Sequence, residues 1–272
     1  MQVMKSGISW DFRDSQELIA SNEYNKEGYI IQKADLHYLN FIKNDVQEAY
    51  FEFTENIGKK YNDLESAHYS IPKEESNDLR LHIMQKIYQN TNFHRNYYNT
   101  AKNIIHSLCG NELAMQKRPG LSINLPQNHN DVLPIHADTW NGVSPYELNI
   151  WIPLVNCTDS MCLYILKRDS YKRRVEESKE LLRLTSDELF EELRDDLTWI
   201  SIDYGEVLAF DQSLPHGYSL NEEDKTHWSL NCRFKGLHTP YWDKKLGEYF
   251  MPITVKNCTR LGMDYAHPES WI

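Results

Sequence analysis

Two patterns of apolar residues divide this chain. Up to about residue 112 they recur every three or four positions. Leu39, Ile42, Val46, Tyr50, Phe53 and Ile57 trace one stripe along a helix. Asp35 stands where an N-cap carboxylate is wanted, and Gly58 where a left-handed residue closes the helix. A second helical stretch is predicted from about Asp78 to Leu108, with Tyr97, Ala101, Ile104 and Leu108 on one face and Gly110 as its stop. Ahead of both, Gly28-Tyr29-Ile30-Ile31 reads as a short strand.

Beyond residue 113 the period falls to two. In Tyr146 to Leu154, the residues Leu148, Ile150, Ile152 and Leu154 alternate with Glu147, Asn149, Trp151 and Pro153. Met161 to Leu166, Trp199 to Ile202, Val207 to Phe210 and Trp228 to Phe234 are further strands, separated by turn residues. Lys172 to Asp196 is charged and helical, with Thr185 and Glu188 spaced as a capping box, and reads as an insertion between two strands. The expected architecture is mainly β with flanking helices, a barrel or sandwich core in one domain. It comprises a helical flank over 1–112, a β core over 113–240 and a C-terminal extension over 241–272.

Charge and composition narrow the field. The net charge is −11 over 272 residues, which argues against a nucleic-acid binder, since such a protein needs a basic surface to displace phosphate counterions. No apolar run approaches the roughly 20 residues of a membrane-spanning helix. The opening MQVMKSGISWDFRDSQELIA lacks the apolar core of a signal peptide. Cys109, Cys157, Cys162, Cys232 and Cys258 are odd in number and without a CxxC pair, so free thiols in a reducing cytoplasm are expected.

The chemistry concentrates in Pro134-Ile135-His136-Ala137-Asp138-Thr139. On a strand His136 and Asp138 share a face, with Cα atoms roughly 6.5 Å apart, close enough for imidazole and carboxylate to bind one ion. Gly205 to Asp211 is an apolar strand, and Leu214-Pro215-His216-Gly217 follows it. Two histidines and a carboxylate on strands match the facial triad of non-haem Fe(II) oxygenases, which leaves three positions on the metal open. The absence of cysteine from the set argues against a structural zinc site. In Trp228 to Phe234, apolar Trp228, Leu230, Cys232 and Phe234 alternate with His227, Ser229, Asn231 and Arg233. That polar face either lines a cavity or meets solvent, and alternation weighs the two equally.

HADTWNG, the strand YELNIWIPLV, and GEVLAFDQSLPHGYSLN followed by HWSLNCRFK resemble the phytanoyl-CoA dioxygenase-like branch of the 2-oxoglutarate and Fe(II)-dependent oxygenases, nearest to bacterial Kdo hydroxylase-like members. The match spans most of the chain. It implies a double-stranded β-helix (jelly roll) core and an enzyme using Fe(II), 2-oxoglutarate and O2. The expected substrate is a small polar metabolite, a sugar or nucleotide-sugar, and the expected reaction hydroxylation coupled to decarboxylation of the keto acid to succinate. By the same resemblance His136, Asp138 and His216 are the iron ligands. The family's basic residue for the far carboxylate of 2-oxoglutarate falls at His227, with Ser229 assisting. An arginine would give a permanent bidentate fork that histidine does not. Either His227 binds as a cation or another cation, such as Arg233, substitutes, although Arg233 lies roughly 20 Å further along the strand. Trp151 takes the place of a family tryptophan near the cosubstrate, or is a core residue. Asn124 is a further cosubstrate contact, or a turn residue.

Lesser candidates are Lys117 and Arg118, the loop residues Trp140, Asn141 and Tyr146, and the basic group Lys167, Arg168, Lys172, Arg173 and Arg174, which would steer an anionic substrate or simply be solvated. Two other readings stay open: a metal-binding β-helix protein that does not use 2-oxoglutarate, and a non-catalytic carbohydrate-binding module. A homodimer also stays open.

Overall fold

A computed structural model describes residues 13–267, apart from 177 and 179. The opening dozen residues read above for a leader, and the last five of the C-terminal extension, lie outside the described residues. The chain begins with α1 (Ser15–Glu27), which the periodicity did not single out. Asp14 caps it by accepting from the backbone of Gln16 and Glu17, and Gly28 ends it at φ 85°. A side chain there would collide with Leu214, so the position requires glycine for both reasons. Strand β1 (Tyr29–Lys33) follows.

Helix α2 (Leu36–Asn56) carries the expected stripe, with Leu39, Ile42, Val46, Tyr50 and Phe53 buried and Asp35 capping through the backbone of His37. Gly58 adopts φ 66° just after it. The single helix expected over Asp78–Leu108 is three: α3 (Ser76–Gln89), α4 (Phe93–Thr100) and α5 (Lys102–Cys109). The Asn90 side chain breaks the run by accepting from the Asn92 backbone at 2.9 Å and donating to Asp45 at 2.7 Å. The apolar period survives the breaks because each short helix still turns one face to the core.

The β region contains β2 (Leu113–Gln116), β3 (Gly120–Asn124), β4 (Leu133–His136), β5 (Glu147–Pro153), β6 (Leu163–Leu166), β7 (Leu197–Ile200), β8 (Glu206–Phe210), β9 (His216–Tyr218), β10 (His227–Gly236) and β11 (Phe250–Thr254). Between β6 and β7 lie α6 (Arg168–Tyr171) and α7 (Ser186–Leu193), and the Thr185–Glu188 capping box forms as expected. Helix α8 (Asn257–Met263) follows β11. One antiparallel sheet runs β1-β8-β5-β10-β2-β11, with β3 also on β10; the other runs β4-β9-β6-β7. The C-terminal segment is thus no loose appendage, since β11 extends the larger sheet through β2.

The outer face of the larger sheet packs on the helices. Tyr97 Oη donates to the carbonyls of Ile150 and Leu230, and Trp228 Nε1 to that of Leu64. The inner face meets the smaller sheet, where Trp151 Nε1 on β5 donates to Tyr218 Oη on β9. The outer side of the smaller sheet is covered by the 168–196 segment, through Ile135, Tyr164, Leu166, Leu189 and Leu193. All seven positions of β5 are therefore buried, polar ones included. The polar face of β10 points between the sheets, which decides the open choice in favour of a lined interior. Among the described residues no helix is long and apolar enough to cross a membrane.

Candidate metal centre

Three elements deliver the triad. His136 ends β4, Asp138 opens the single turn Asp138–Asn141 that follows, and His216 begins β9, paired directly with His136. The Asp138 backbone N–H donates to the Gln212 carbonyl at 2.9 Å, which ties that turn to the loop leading into β9. Gly217 makes the approach feasible: a Cβ there would sit 2.4 Å from Tyr164 Oη and 2.5 Å from the Leu133 carbonyl.

One potential ligand atom from each of His136, Asp138 and His216 lies within 4.8 Å of the other two; no second such cluster of His, Cys, Asp or Glu occurs among the described residues. The two imidazole rings are oriented alike. His136 Nδ1 donates to the Pro134 carbonyl at 2.9 Å and His216 Nδ1 to the Leu214 carbonyl at 2.8 Å. Each bond fixes the tautomer that leaves Nε2 free to coordinate. Burial pushes His216 down to about 4, so its ring is neutral at pH 7. Burial alone would raise the Asp138 carboxyl, but the hydrogen bond with His136 and the charge of Arg233 outweigh it and hold the group well below the usual carboxylate range. Burial alone would lower His136, but its hydrogen bonds to Asp138 and the Pro134 carbonyl outweigh it and raise the ring, so an ion bound there would displace a proton from Nε2. With that proton released, two imidazoles and one anionic carboxylate suit a divalent first-row ion. The Phe210 ring packs edge-on against His216, 4.9 Å between centroids, and gives the site an apolar wall.

The cosubstrate residues behave differently. His227 is fully buried; its Nδ1 donates to the Met161 carbonyl at 2.9 Å and its Nε2 accepts from Ser229 Oγ at 2.8 Å. Desolvation drives its pKa down to about 4. The ring is therefore neutral at pH 7, and both nitrogens serve internal bonds. Ser229 is buried with it, its Oγ also 3.4 Å from Tyr218 Oη. Trp151 is 1% exposed and bonded to Tyr218, a core residue of the interior. Asn124 lies opposite His227 across β3 and β10, beside a cavity of about 470 Å³ that Ser122, Tyr218, Arg80 and Lys73 also line.

Arg233 is the surprise on β10. Its Nη2 donates to Asp138 Oδ2 at 2.7 Å, and its Nε reaches Gln212 Oε1 at 2.8 Å and Asp138 Oδ2 at 3.3 Å. Its Nη1 donates to Tyr249 Oη, from the C-terminal segment. The spacing argument did not reach Gln212, Tyr218 or Tyr249; the first two lie within the segment GEVLAFDQSLPHGYSLN without having been singled out, and nothing in the sequence marks Tyr249. Lys167, Arg168, Arg173 and Arg174 pair with Glu27, Asp211, Asp196 and Glu192, at 2.6 to 2.8 Å, and are neutralised in place rather than presented to a ligand. Trp140, in the triad turn, is 40% exposed, and Tyr146, 50% exposed, lies instead beside Tyr24 and Leu108 of α1 and α5. All five cysteines are free thiols, as expected.

No family model matches this chain, and neither does any curated protein. Solved structures do resemble it. A nickel complex of the non-heme monooxygenase ThoJ aligns with a TM-score of 0.56 at 12% identity, over 88% of this chain and 85% of that one. The non-heme alpha ketoglutarate dependent carbocyclase SnoK, from nogalamycin biosynthesis, aligns with a TM-score of 0.51 at 15% identity, over 89% and 97%. EctD from S. alaskensis, in its apoform, aligns with 0.52 at 16%, over 85% and 84%. The paired sheets, the flanking helices and these alignments together establish that the chain has the double-stranded β-helix fold of the non-heme iron oxygenases.

Proposed function

We propose that this chain is an Fe(II)- and 2-oxoglutarate-dependent oxygenase that hydroxylates a small polar metabolite. A sugar or nucleotide-sugar is favoured by the resemblance to Kdo hydroxylase-like proteins, and a reducing cytoplasm suits its free thiols. One observation carries the reading: an HxD turn and a distant histidine bring two free imidazole nitrogens and a carboxylate to one point inside a double-stranded β-helix. SnoK, of the same fold, is described as alpha ketoglutarate dependent.

His136 and His216 would hold the ion through Nε2 and Asp138 through one carboxylate oxygen, leaving open positions for the keto acid and O2. Iron bound there would couple decarboxylation of 2-oxoglutarate to insertion of one oxygen atom into the substrate. The chain's own part is positional. The Pro134 and Leu214 carbonyls orient the two imidazoles, and Phe210 keeps water from one side. Exposed Trp140, in the triad turn itself, offers a polar substrate an aromatic surface.

A second reading has a specific observation behind it. A neutral, internally bonded His227 offers no cation to a far carboxylate, which favours metal chemistry without 2-oxoglutarate. Anaerobic difference absorbance separates the two readings. Addition of 2-oxoglutarate to the Fe(II)-loaded protein should raise a weak visible charge-transfer band from chelation of the keto acid. Tight iron binding with no band would retire the first reading in favour of the second.

A further inference from the structure

A carboxylate that ligates a metal has a second oxygen, and the environment of that oxygen sets whether the group binds through one atom or two. Here the two oxygens of Asp138 are sharply distinguished. Oδ1 faces His136 Nε2 at 3.5 Å, on the triad side. Oδ2 faces away and receives Arg233 through Nη2 at 2.7 Å and Nε at 3.3 Å. We infer that Arg233 is a positioning residue for the metal centre: it occupies Oδ2 of Asp138, reserves Oδ1 for the ion, and is itself locked by Gln212 and by Tyr249 of the C-terminal segment. The inference rests on the metal-centre reading above.

Besides Asp138, two partners hold the guanidinium and a third holds the Arg233 backbone. Gln212, fully buried, accepts from Nε at 2.8 Å, and its own amide donates to Glu147 Oε2 and to the Ser144 carbonyl, each at 3.2 Å. Tyr249 takes Nη1, while its backbone carbonyl accepts from the Lys117 N–H at 2.9 Å and fixes the segment against the end of β2. The Arg233 backbone N–H donates to Gln116 Oε1 at 3.1 Å. A swing toward a keto acid would break several of these bonds and leave Asp138 and Gln212 unpaired in a buried place, which is costly. Arg233 thus spends its charge on the metal ligand. The C-terminal segment, which looked peripheral in the sequence, completes the support through one hydroxyl.

The test uses metal-free full-length protein titrated with Co(II), whose visible spectrum reports coordination, and separately measures 2-oxoglutarate binding to the loaded protein. Arg233→Met should weaken Co(II) binding by about 10- to 100-fold, the usual cost of removing a ligand's supporting partner, and alter the spectrum as Oδ2 becomes free. Arg233→Lys should recover part of the affinity, because an ammonium can reach Oδ2 but not Gln212 and Tyr249 as well. Tyr249→Phe should weaken Co(II) binding several-fold with the fold unchanged. Unaltered Co(II) affinity and spectrum in Arg233→Met would overturn the inference, as would loss of 2-oxoglutarate binding with metal binding intact. If Arg233→Met does not fold, Arg233→Lys and Tyr249→Phe decide by the same criteria. Failure of the wild-type protein to bind Co(II) would instead sink the metal centre itself.

Discussion

Replacing His227 with leucine isolates what this buried ring does. The side chain is fully buried, and its removal leaves the Met161 carbonyl and the Ser229 hydroxyl without their partner. At pH 7 the expected cost is about 1–3 kcal/mol, the penalty for stranding a buried polar group. The pH dependence is the sharper signature. In the unfolded chain the imidazole titrates near its ordinary 6.5, whereas burial lowers it to about 4 in the fold. Between those values the unfolded state binds a proton that the folded state refuses. Wild-type stability therefore rises with pH across that window and is lost as pH falls through it. From pH 7 to pH 5 this one group removes about 2 kcal/mol from the wild type and nothing from the variant, so the gap between them should nearly close. His216, also lowered to about 4 without metal, is common to both proteins and cancels. The assay is urea unfolding of the chelator-treated proteins at the two pH values. Equal losses for wild type and variant would refute the picture of a neutral, buried His227.

Other outcomes follow from the same geometry. His136→Ala, Asp138→Ala and His216→Ala should each abolish divalent-metal binding, read by titration and metal analysis, while the circular dichroism spectrum stays native; full metal content in any of them would remove that residue from the triad. Gly217→Ala places a Cβ 2.4 Å from Tyr164 Oη and 2.5 Å from the Leu133 carbonyl, so it should destabilise by about 2 kcal/mol or more and weaken metal binding through the neighbouring His216. A thermal midpoint within a degree of wild type would contradict that contact. Asp35→Ala removes the cap of α2 and should cost about 1 kcal/mol in urea unfolding without touching the metal site; a loss of metal affinity would mean the helix layer and the barrel are coupled more tightly than their packing indicates.

How far the sequence carried can be judged residue by residue. The α2 stripe was legible because Leu39, Ile42, Val46, Tyr50 and Phe53 repeat at the helical period and are all buried in the core. The strand phase was legible because an alternation of two survives even where both faces are buried. The HxD spacing with an isolated later histidine marked the three residues that converge, although β4 ends at His136 and it is the following turn, tied to the Gln212 carbonyl, that brings Asp138 to the site. The break between α3 and α4 was hidden, because the side-chain bonds of Asn90 rather than any loss of apolar period cause it, and the break at Ala101 before α5 interrupts the period no more than the first. The state of His227 was also hidden. A histidine on a polar strand face reads the same whether it meets a ligand or a carbonyl of the opposite sheet, and only burial beside Met161 makes it neutral.

The sequence by itself determined the class of fold, the position of the metal-ligand triad and the acidic, thiol-bearing character of the chain, because each of these is local: a period, a spacing, a count. Tertiary structure decided the rest, for a physical reason. The roles of His227, Ser229, Trp151 and Arg233 depend on what the facing sheet and the C-terminal segment bring against them. Those partners, Met161, Tyr218, Asp138, Gln212 and Tyr249, are distant in the chain or carry no pattern of their own. A charge or a ring nitrogen acquires its function from its nearest buried neighbour, and that neighbour is set by the closure of the two sheets on one another.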